Sequence, residues 1–394
     1  MPLRIIGMIG VTRPSSDAQL LVIEGALDPG YVVEFARAHE AAGFDSALVG
    51  YSSSSAEGFL VAQHAAVHTE RLAYLIAHRP GFVAPTLFAR KVATFDQLTG
   101  GRIALHIITG KTDAEQQGDG DFSPKAERYA RAQEYVLLMK RTWAADKPFD
   151  FDGAFYKVRG AHSDVRPLQQ PHPEILFGGA SEGALVMGAA ECDTYAIYAE
   201  PLATTAERIA DMRARAALSN RRVGFNMSVR PIIAATEGAA WDKAHRILAA
   251  MTGKLGWSRQ ECAPVGVAGG ELAVRAEHGS AMTGTTGQPK AQQRTPVDNA
   301  GKRQFAFALE KDVHDARLWM GITRATGALG NTSCLVGTAA QVGDAILEYY
   351  RLGVGSVLIR GFDPFNDTVE FGRELIPRIK AGAIEIDRQA TPAR

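Results

Sequence analysis

Cysteine is scarce in this chain, and so is any imbalance of charge. The 394 residues contain three cysteines, Cys192, Cys262 and Cys334. They form an odd set with no Cys-x-x-Cys pair, which excludes a disulfide framework and a zinc knuckle and fits a cytoplasmic, reduced compartment. Forty-three Lys and Arg balance forty-three Asp and Glu. A neutral chain without a dense basic stripe has no long-range attraction for phosphate polymers, so a nucleic-acid partner is not expected. No apolar run approaches the ~20 residues that cross a bilayer. The start, Met1-Pro2-Leu3-Arg4-Ile5-Ile6-Gly7, has neither a basic leader nor a small-residue cleavage site. A membrane-bound or exported protein is not expected.

What is present is a regular alternation. Short apolar, β-branched runs fall at 4–10, 45–49, 72–77, 102–109, 174–178, 193–198, 223–234 and 355–360. Helical patterns separate them at about 30–42, 56–68, 84–98, 124–143, 181–190, 202–218, 236–253 and 338–352, with a last helix at 366–382. Eight strands each followed by a helix predict an α/β fold, a closed (β/α)8 TIM barrel, rather than an open doubly wound sheet. The 394 residues then form a single barrel domain, since barrels with insertions exceed ~250 residues. Local signals support the boundaries. Ser123-Pro124 and Ser181 are capping positions, and Leu352-Gly353-Val354-Gly355 ends one helix before the last strand.

Two segments stand outside the repeat. Residues 148–158 read as a small hairpin turning at Asp152-Gly153. The larger insertion, 254–330, follows the seventh strand, and its middle, Gly279 to Gln304, is rich in Gly, Thr, Gln and Lys. Such a composition buries little apolar surface and reads either as a surface loop or, among the loops of a barrel's active face, as a lid.

Several motifs fail on inspection. Gly110-Lys111-Thr112 imitates a P-loop, yet the required upstream glycine is Leu105. His64 and His68 have metal-ligand spacing on a helix, but Ala65 stands where a zinc protease carries glutamate, so no metal site is expected. Gly178-Gly179-Ala180-Ser181-Glu182-Gly183 joins a buried-looking strand to a helix start. It reads as a plain tight turn or as an anion cradle made of free amides and a capping hydroxyl. His106 and Thr109, at the end of the fourth strand, share the same barrel rim, where polar residues face the chemistry.

Pro85 to Asp96, Thr99-Gly100-Gly101-Arg102-Ile103-Ala104 through Thr109-Gly110, Glu127-Arg128-Tyr129, Phe177 to Ser181, Leu335-Val336-Gly337-Thr338 and Phe371 to Pro377 together resemble the bacterial luciferase-like flavin monooxygenases. The resemblance runs in order along nearly the whole chain, and it lies in the branch of alkanesulfonate monooxygenase and the pyrimidine-ring-opening enzyme. It implies a two-component enzyme that takes reduced FMN from a separate NAD(P)H:FMN reductase, activates O2 on it and assembles as a homodimer or homotetramer. Carried over position by position, Gly179, Ala180 and Ser181 hold the FMN phosphate with help from Tyr129. Thr109 and His106 lie along the flavin, His106 standing where relatives often have asparagine, and Ala77 sits near the reactive edge of the ring.

The sulfonate pattern of that branch is mostly absent. Ser55 stands in place of a cysteine, the Arg-x-His of the seventh strand becomes Ser228-Val229-Arg230, and the Tyr-x-His after the eighth becomes Phe362-Asp363-Pro364. Arg303 keeps the arginine of the insertion. Arg230, two residues along the strand, presents the same face as the lost arginine and is expected to share the substrate anion with Arg303. His106 is then the candidate proton acceptor. The substrate expected is a small organosulfur compound or a similar polar metabolite. The rival readings are a deazaflavin (F420)-dependent dehydrogenase on the same barrel and a flavin-binding protein without catalysis.

Overall fold

The computed structural model describes residues 2–254, 296 and 298–390. In chain order the strands are β1 (Arg4–Met8), β2 (Ser46–Val49), β3 (Ala73–His78), β4 (Ile103–Ile107), β5 (Phe149–Asp152), β6 (Lys157–Ala161), β7 (Ile175–Gly178), β8 (Thr194–Tyr198), β9 (Gly224–Ile233), β10 (Val313–His314), β11 (Leu318–Trp319), β12 (Cys334–Gly337) and β13 (Ser356–Ile359). The α-helices are α1 (Pro29–Ala41), α2 (Gly58–Ala66), α3 (Pro85–Thr99), α4 (Asp113–Gly118), α5 (Lys125–Ala144), α6 (Glu182–Glu191), α7 (Leu202–Ala217), α8 (Glu237–Lys254), α9 (Asn299–Glu310), α10 (Gly321–Thr326), α11 (Ala339–Leu352), α12 (Pro364–Glu370) and α13 (Ile376–Ala390).

Eight strands, β1, β2, β3, β4, β7, β8, β9 and β13, pair in parallel, and the β8–β9 pairing closes the ring. This is the expected (β/α)8 barrel. Each strand buries its outward side under helices, as when Tyr74 and Ile76 of β3 pack with Phe59, Phe88 and Phe95. Sequence-encoded caps stop and start those helices. Asp28 accepts from the Tyr31 amide ahead of Pro29, and Thr338 with Gln341 forms a reciprocal capping box on α11. The hairpin β5–β6 is antiparallel, as its Asp-Gly turn predicts. The last helix is interrupted where a continuous one is expected, by a π-turn over Phe371–Leu375.

The insertion after the seventh strand contains α9, the β10–β11 hairpin and α10. Much of its polar middle, 279–295, lies outside the described residues. One further strand was not expected from the sequence. β12 pairs in parallel with the second half of β9, placing Cys334 beside Arg230 and Gly337 beside Ile233. Only the first half of β9 belongs to the ring. Arg230 therefore stands where the strand departs, and its fully buried guanidinium donates to the carbonyls of Leu20 at 2.7 Å, Asn331 at 2.9 Å and Gly361 at 2.9 Å.

Inside the ring, side chains arrive in layers because alternate residues of each strand face inward. At the amino ends, Arg4 donates to Glu174 at 2.6 and 2.7 Å. Above this ion pair an apolar layer forms from Ile6, Leu75, Leu176 and Leu358, with Leu48 and Ala104 against it. The next inward positions, two residues on, are Met8, Ala77, His106, Gly178 and Arg360. The greasy layer is thus the floor, and these residues begin the chamber above it.

Two consequences of burial are measurable. His39 and His78 are buried, and desolvation pushes them down to about 4 and about 3 respectively. His39 bridges Phe35 carbonyl at 2.8 Å and the Met8 amide at 3.3 Å. His78 meets the Tyr135 hydroxyl at 2.9 Å and stacks on Phe88 at 3.5 Å. Folded, both stay neutral at pH 5; unfolded, both take up a proton below ~6.5. Stability is therefore full above ~6.5 and falls as the pH drops toward the folded values, by about 2 kcal/mol per histidine between pH 7 and 5. Urea titrations at the two pH values check this, and equal stabilities contradict it. Separately, Arg230→Met leaves buried carbonyls without donors and should cost about 2–3 kcal/mol. An unchanged melting curve contradicts that placement of Arg230.

Candidate functional site

A cavity of about 400 Å³ opens at the carboxyl ends of the barrel strands. This is the face where barrel enzymes carry their chemistry. It has three parts, each built by a different piece of the chain.

The first part is an anion cradle. β7 ends at Gly178, and Ser181 caps α6 by accepting from the Ala184 amide at 3.4 Å while donating to the Tyr129 hydroxyl at 3.0 Å. The first amides of a helix have no intrahelical acceptor and carry partial positive charge. Glycine is required twice here. A Cβ on Gly178 would lie 2.7 Å from the Ala196 carbonyl, and one on Gly183 would lie 2.8 Å from the Tyr129 ring. Lys111, Lys125 and Arg208 add cationic side chains to the cavity lining. Arg208 donates to the Gly179 carbonyl at 3.2 Å and pairs with Glu200 at 2.7 Å. The sequence-predicted residues Gly179, Ala180, Ser181 and Tyr129 therefore come together, all lining the cavity.

The second part is the wall at β3 and β4. His106 and Thr109 line it, as the rim positions predict. His106 is half-buried, its Nδ1 is shut off from solvent without a protein partner, and desolvation lowers the ring to about 4, which keeps the imidazole neutral near pH 7. Ala77 pairs with His106 across β3 and β4 and is itself buried; it belongs to the inner face but not to the cavity lining. Arg79, just past β3, was not anticipated. Its guanidinium pairs with Glu115 at 2.7 Å and Asp119 at 3.0 Å, and lies over the Tyr51 ring at 4.6 Å.

The third part is the wall at β8, β9 and β13, with Tyr198, Asn226, Ser228, Asn331, Leu358 and Arg360. Asn331 donates to Ser228 Oγ at 2.8 Å. Asp298, Asn299 and Ala300 at the start of α9 complete the rim, so the insertion does reach the mouth.

Arg230 and Arg303, expected to share the substrate anion, and Ser55, in the place of the family's cysteine, lie outside this lining. Arg230 is not in the lining, because the departure of β9 from the ring carries it among loop carbonyls and over the Phe362 ring at 4.5 Å. Arg303 is turned away toward the buried Glu200 at 2.8 Å. Ser55 closes its own turn, accepting from the Ser52 amide at 3.0 Å and donating to the Ser52 carbonyl at 2.9 Å. Its neighbour Ser53 is the serine that touches Arg79, at 3.2 Å. Arg360 lines the chamber without belonging to any sequence motif. Its signal was available, since it stands two residues beyond Leu358 on an inward-facing register.

Comparison with solved structures finds the same fold at low identity. The EDTA monooxygenase of Chelativorans sp. BNC1 is 16% identical, with a TM-score of 0.69 over 97% of this chain and 94% of that one. The oxygenating constituent of 3,6-diketocamphane monooxygenase from Pseudomonas putida, solved in complex with FMN, is 15% identical with a TM-score of 0.63 over 96% and 99%. An F420-dependent secondary alcohol dehydrogenase is 16% identical with a TM-score of 0.62 over 96% and 99%. The family model described as luciferase-like monooxygenase matches residues 8–356. That match runs from the end of the first barrel strand to the start of the eighth, and the chain belongs to the luciferase-like monooxygenase family.

Proposed function

We propose that the protein is an FMN-dependent monooxygenase, supplied with reduced flavin by a separate NAD(P)H:FMN reductase and acting on a small organosulfur compound or a similar polar metabolite. The observation that carries this reading is the pairing of an anion cradle at α6 with a neutral imidazole, its Nδ1 buried and unpartnered, on the adjacent wall of one chamber.

The residues fit the nucleotide. A phosphate suits the α6 amides, Ser181 and Tyr129, with Lys111, Lys125 and Arg208 nearby. Gly178 leaves room where a Cβ would collide with β8. His106 Nδ1 wants a partner, and the flavin ring's polar edge supplies one. Bound reduced FMN contributes the electrons for O2 activation.

The remaining tasks fall to the chain. Met8, Leu48, Ile108 and Leu358 give the chamber apolar walls, and the start of α9 narrows its mouth, which together limit water near the reacting atoms. His106, held as the free base down to about pH 4, offers Nδ1 for a hydrogen bond throughout the neutral range. Arg79 keeps its charge in place through Glu115 and Asp119 and fixes Tyr51 against the ring space.

Ser181→Asp tests the cradle. Aspartate caps α6 as well as serine does, so folding is unchanged, while its carboxylate repels a phosphate. The expected result is a loss of about tenfold or more in FMN affinity by fluorescence titration. Equal affinity removes this placement. The reaction class is checked by mixing photoreduced FMN and protein with O2 and a panel of sulfonates, sulfones and heterocycles. Oxygen-dependent product with at least one member is expected. Anaerobic hydride transfer to F420 without oxygen-dependent product contradicts the monooxygenase reading.

A further inference from the structure

Arg360 differs from four other arginines of this barrel. Arg79 faces Glu115 and Asp119, Arg208 and Arg303 share Glu200, and Arg230 is saturated by backbone carbonyls. Arg360 has one contact of this kind, from Nη1 to the Met8 sulfur at 3.0 Å, and its Nε is buried without a partner. Among the described residues no carboxylate pairs with it within 4.0 Å. A thioether is a weak acceptor, and a cation held away from water without a counter-charge is costly. Burial accordingly lowers its pKa.

Its position is as telling as its lack of partners. Around the ring β13 lies four strands from β4 in either direction. Arg360, following β13, and His106, on β4, therefore stand on opposite walls of the chamber, and both line the cavity. The cradle at Ser181 is on the His106 side of that division, since β7 is the neighbour of β4. A nucleotide anchored at α6 and lying along His106 leaves the space before Arg360 open, bounded by Tyr198 and Leu358.

From this geometry we infer that Arg360 anchors an oxyanion carried by the substrate, a carboxylate, sulfinate or sulfonate, and thereby sets the substrate class of the site. The inference rests on the flavin reading above for what occupies the opposite wall. A guanidinium fork matches the two oxygens of such a group and orients it as well as attracting it. A neutral analogue leaves the cation unpaired in a desolvated chamber, which is how a built polar site rejects it. The same residue replaces the expected pair, since Arg230 is spent on backbone carbonyls and Arg303 is paired with Glu200 outside this lining.

Calorimetric titration of FMN-loaded protein with acetate, ethanesulfonate and sulfate, and with neutral ethyl methyl sulfone, tests it. Wild type is expected to bind at least one of the anions. Arg360→Gln should weaken that anion by about thirtyfold, Arg360→Lys should recover part of the loss, and affinity for the sulfone should be unchanged. Oxidised and anaerobically reduced FMN should bind both variants within about twofold of wild type, and the thermal melt of Arg360→Lys shows that the fold persists. Undiminished anion affinity in Arg360→Gln, or no anion binding to wild type, overturns the proposal. Intact anion binding with weakened affinity for reduced FMN also overturns it, assigning the charge to the ring instead. Repeating the titration without FMN separates this result from a failure of the flavin reading, because the anion response at Arg360 then stands or falls without the nucleotide.

Discussion

The rest of the molecule depends on one geometric constraint, that alternate residues of a strand face the inside of a closed ring. Ile6, Leu75, Leu176 and Leu358 meet because eight parallel strands hold them at one height, and their contact seals the barrel below the chamber. Two residues further along each strand the inward positions are no longer covered by a layer above. Chemistry is possible there. Met8, His106, Gly178 and Arg360 are the direct continuation of the apolar layer, so the floor and the site are set by the same register. A slip of one residue in any of these strands would turn its chamber residue outward into the helices.

Electrostatics then divides the chamber. On one side, helix dipole, Ser181, Tyr129 and three cationic side chains favour a phosphate; on the opposite wall a single guanidinium lacks a protein counter-charge. Beside the cradle, on the neighbouring strand β4, His106 remains uncharged because burial outweighs any stabilisation of the imidazolium. Arginines that resemble one another in sequence therefore have different tasks, decided by what surrounds each. Arg230 ties the loop before α1, the Asn331 region and the turn after β13 together, while Glu200 joins α7 to α9 through Arg208 and Arg303.

Much of this was legible in the sequence. The eight ring strands and the helices between them follow from periodicity and from local signals such as Ser181, which caps α6; Ser123 does not cap α5, which begins at Lys125 after Pro124 with no side-chain cap. The cradle was legible for the same reason, as its glycines and serine are contiguous. β12 is not legible because Cys334–Gly337 is a short buried run just after the insertion, and only the pairing with the outer half of β9 makes it a strand. Arg230 was misjudged for a related cause: strand alternation holds only while the strand stays in the ring. Ser55 and Arg303 were assigned by resemblance, and their partners, a local turn and Glu200, depend on side-chain packing that no motif records. Arg360 was within reach of the +2 rule but carried no motif to draw attention to it.

The central claim is that one chamber holds a flavin nucleotide with its phosphate at α6 and its ring along His106. A crystal structure of the protein with FMN measures this directly. The account predicts phosphate oxygens within hydrogen-bond distance of the Ser181 hydroxyl and the α6 amides, and a ring heteroatom in contact with His106 Nδ1. FMN bound with its phosphate elsewhere, or with the ring away from β4, would contradict it.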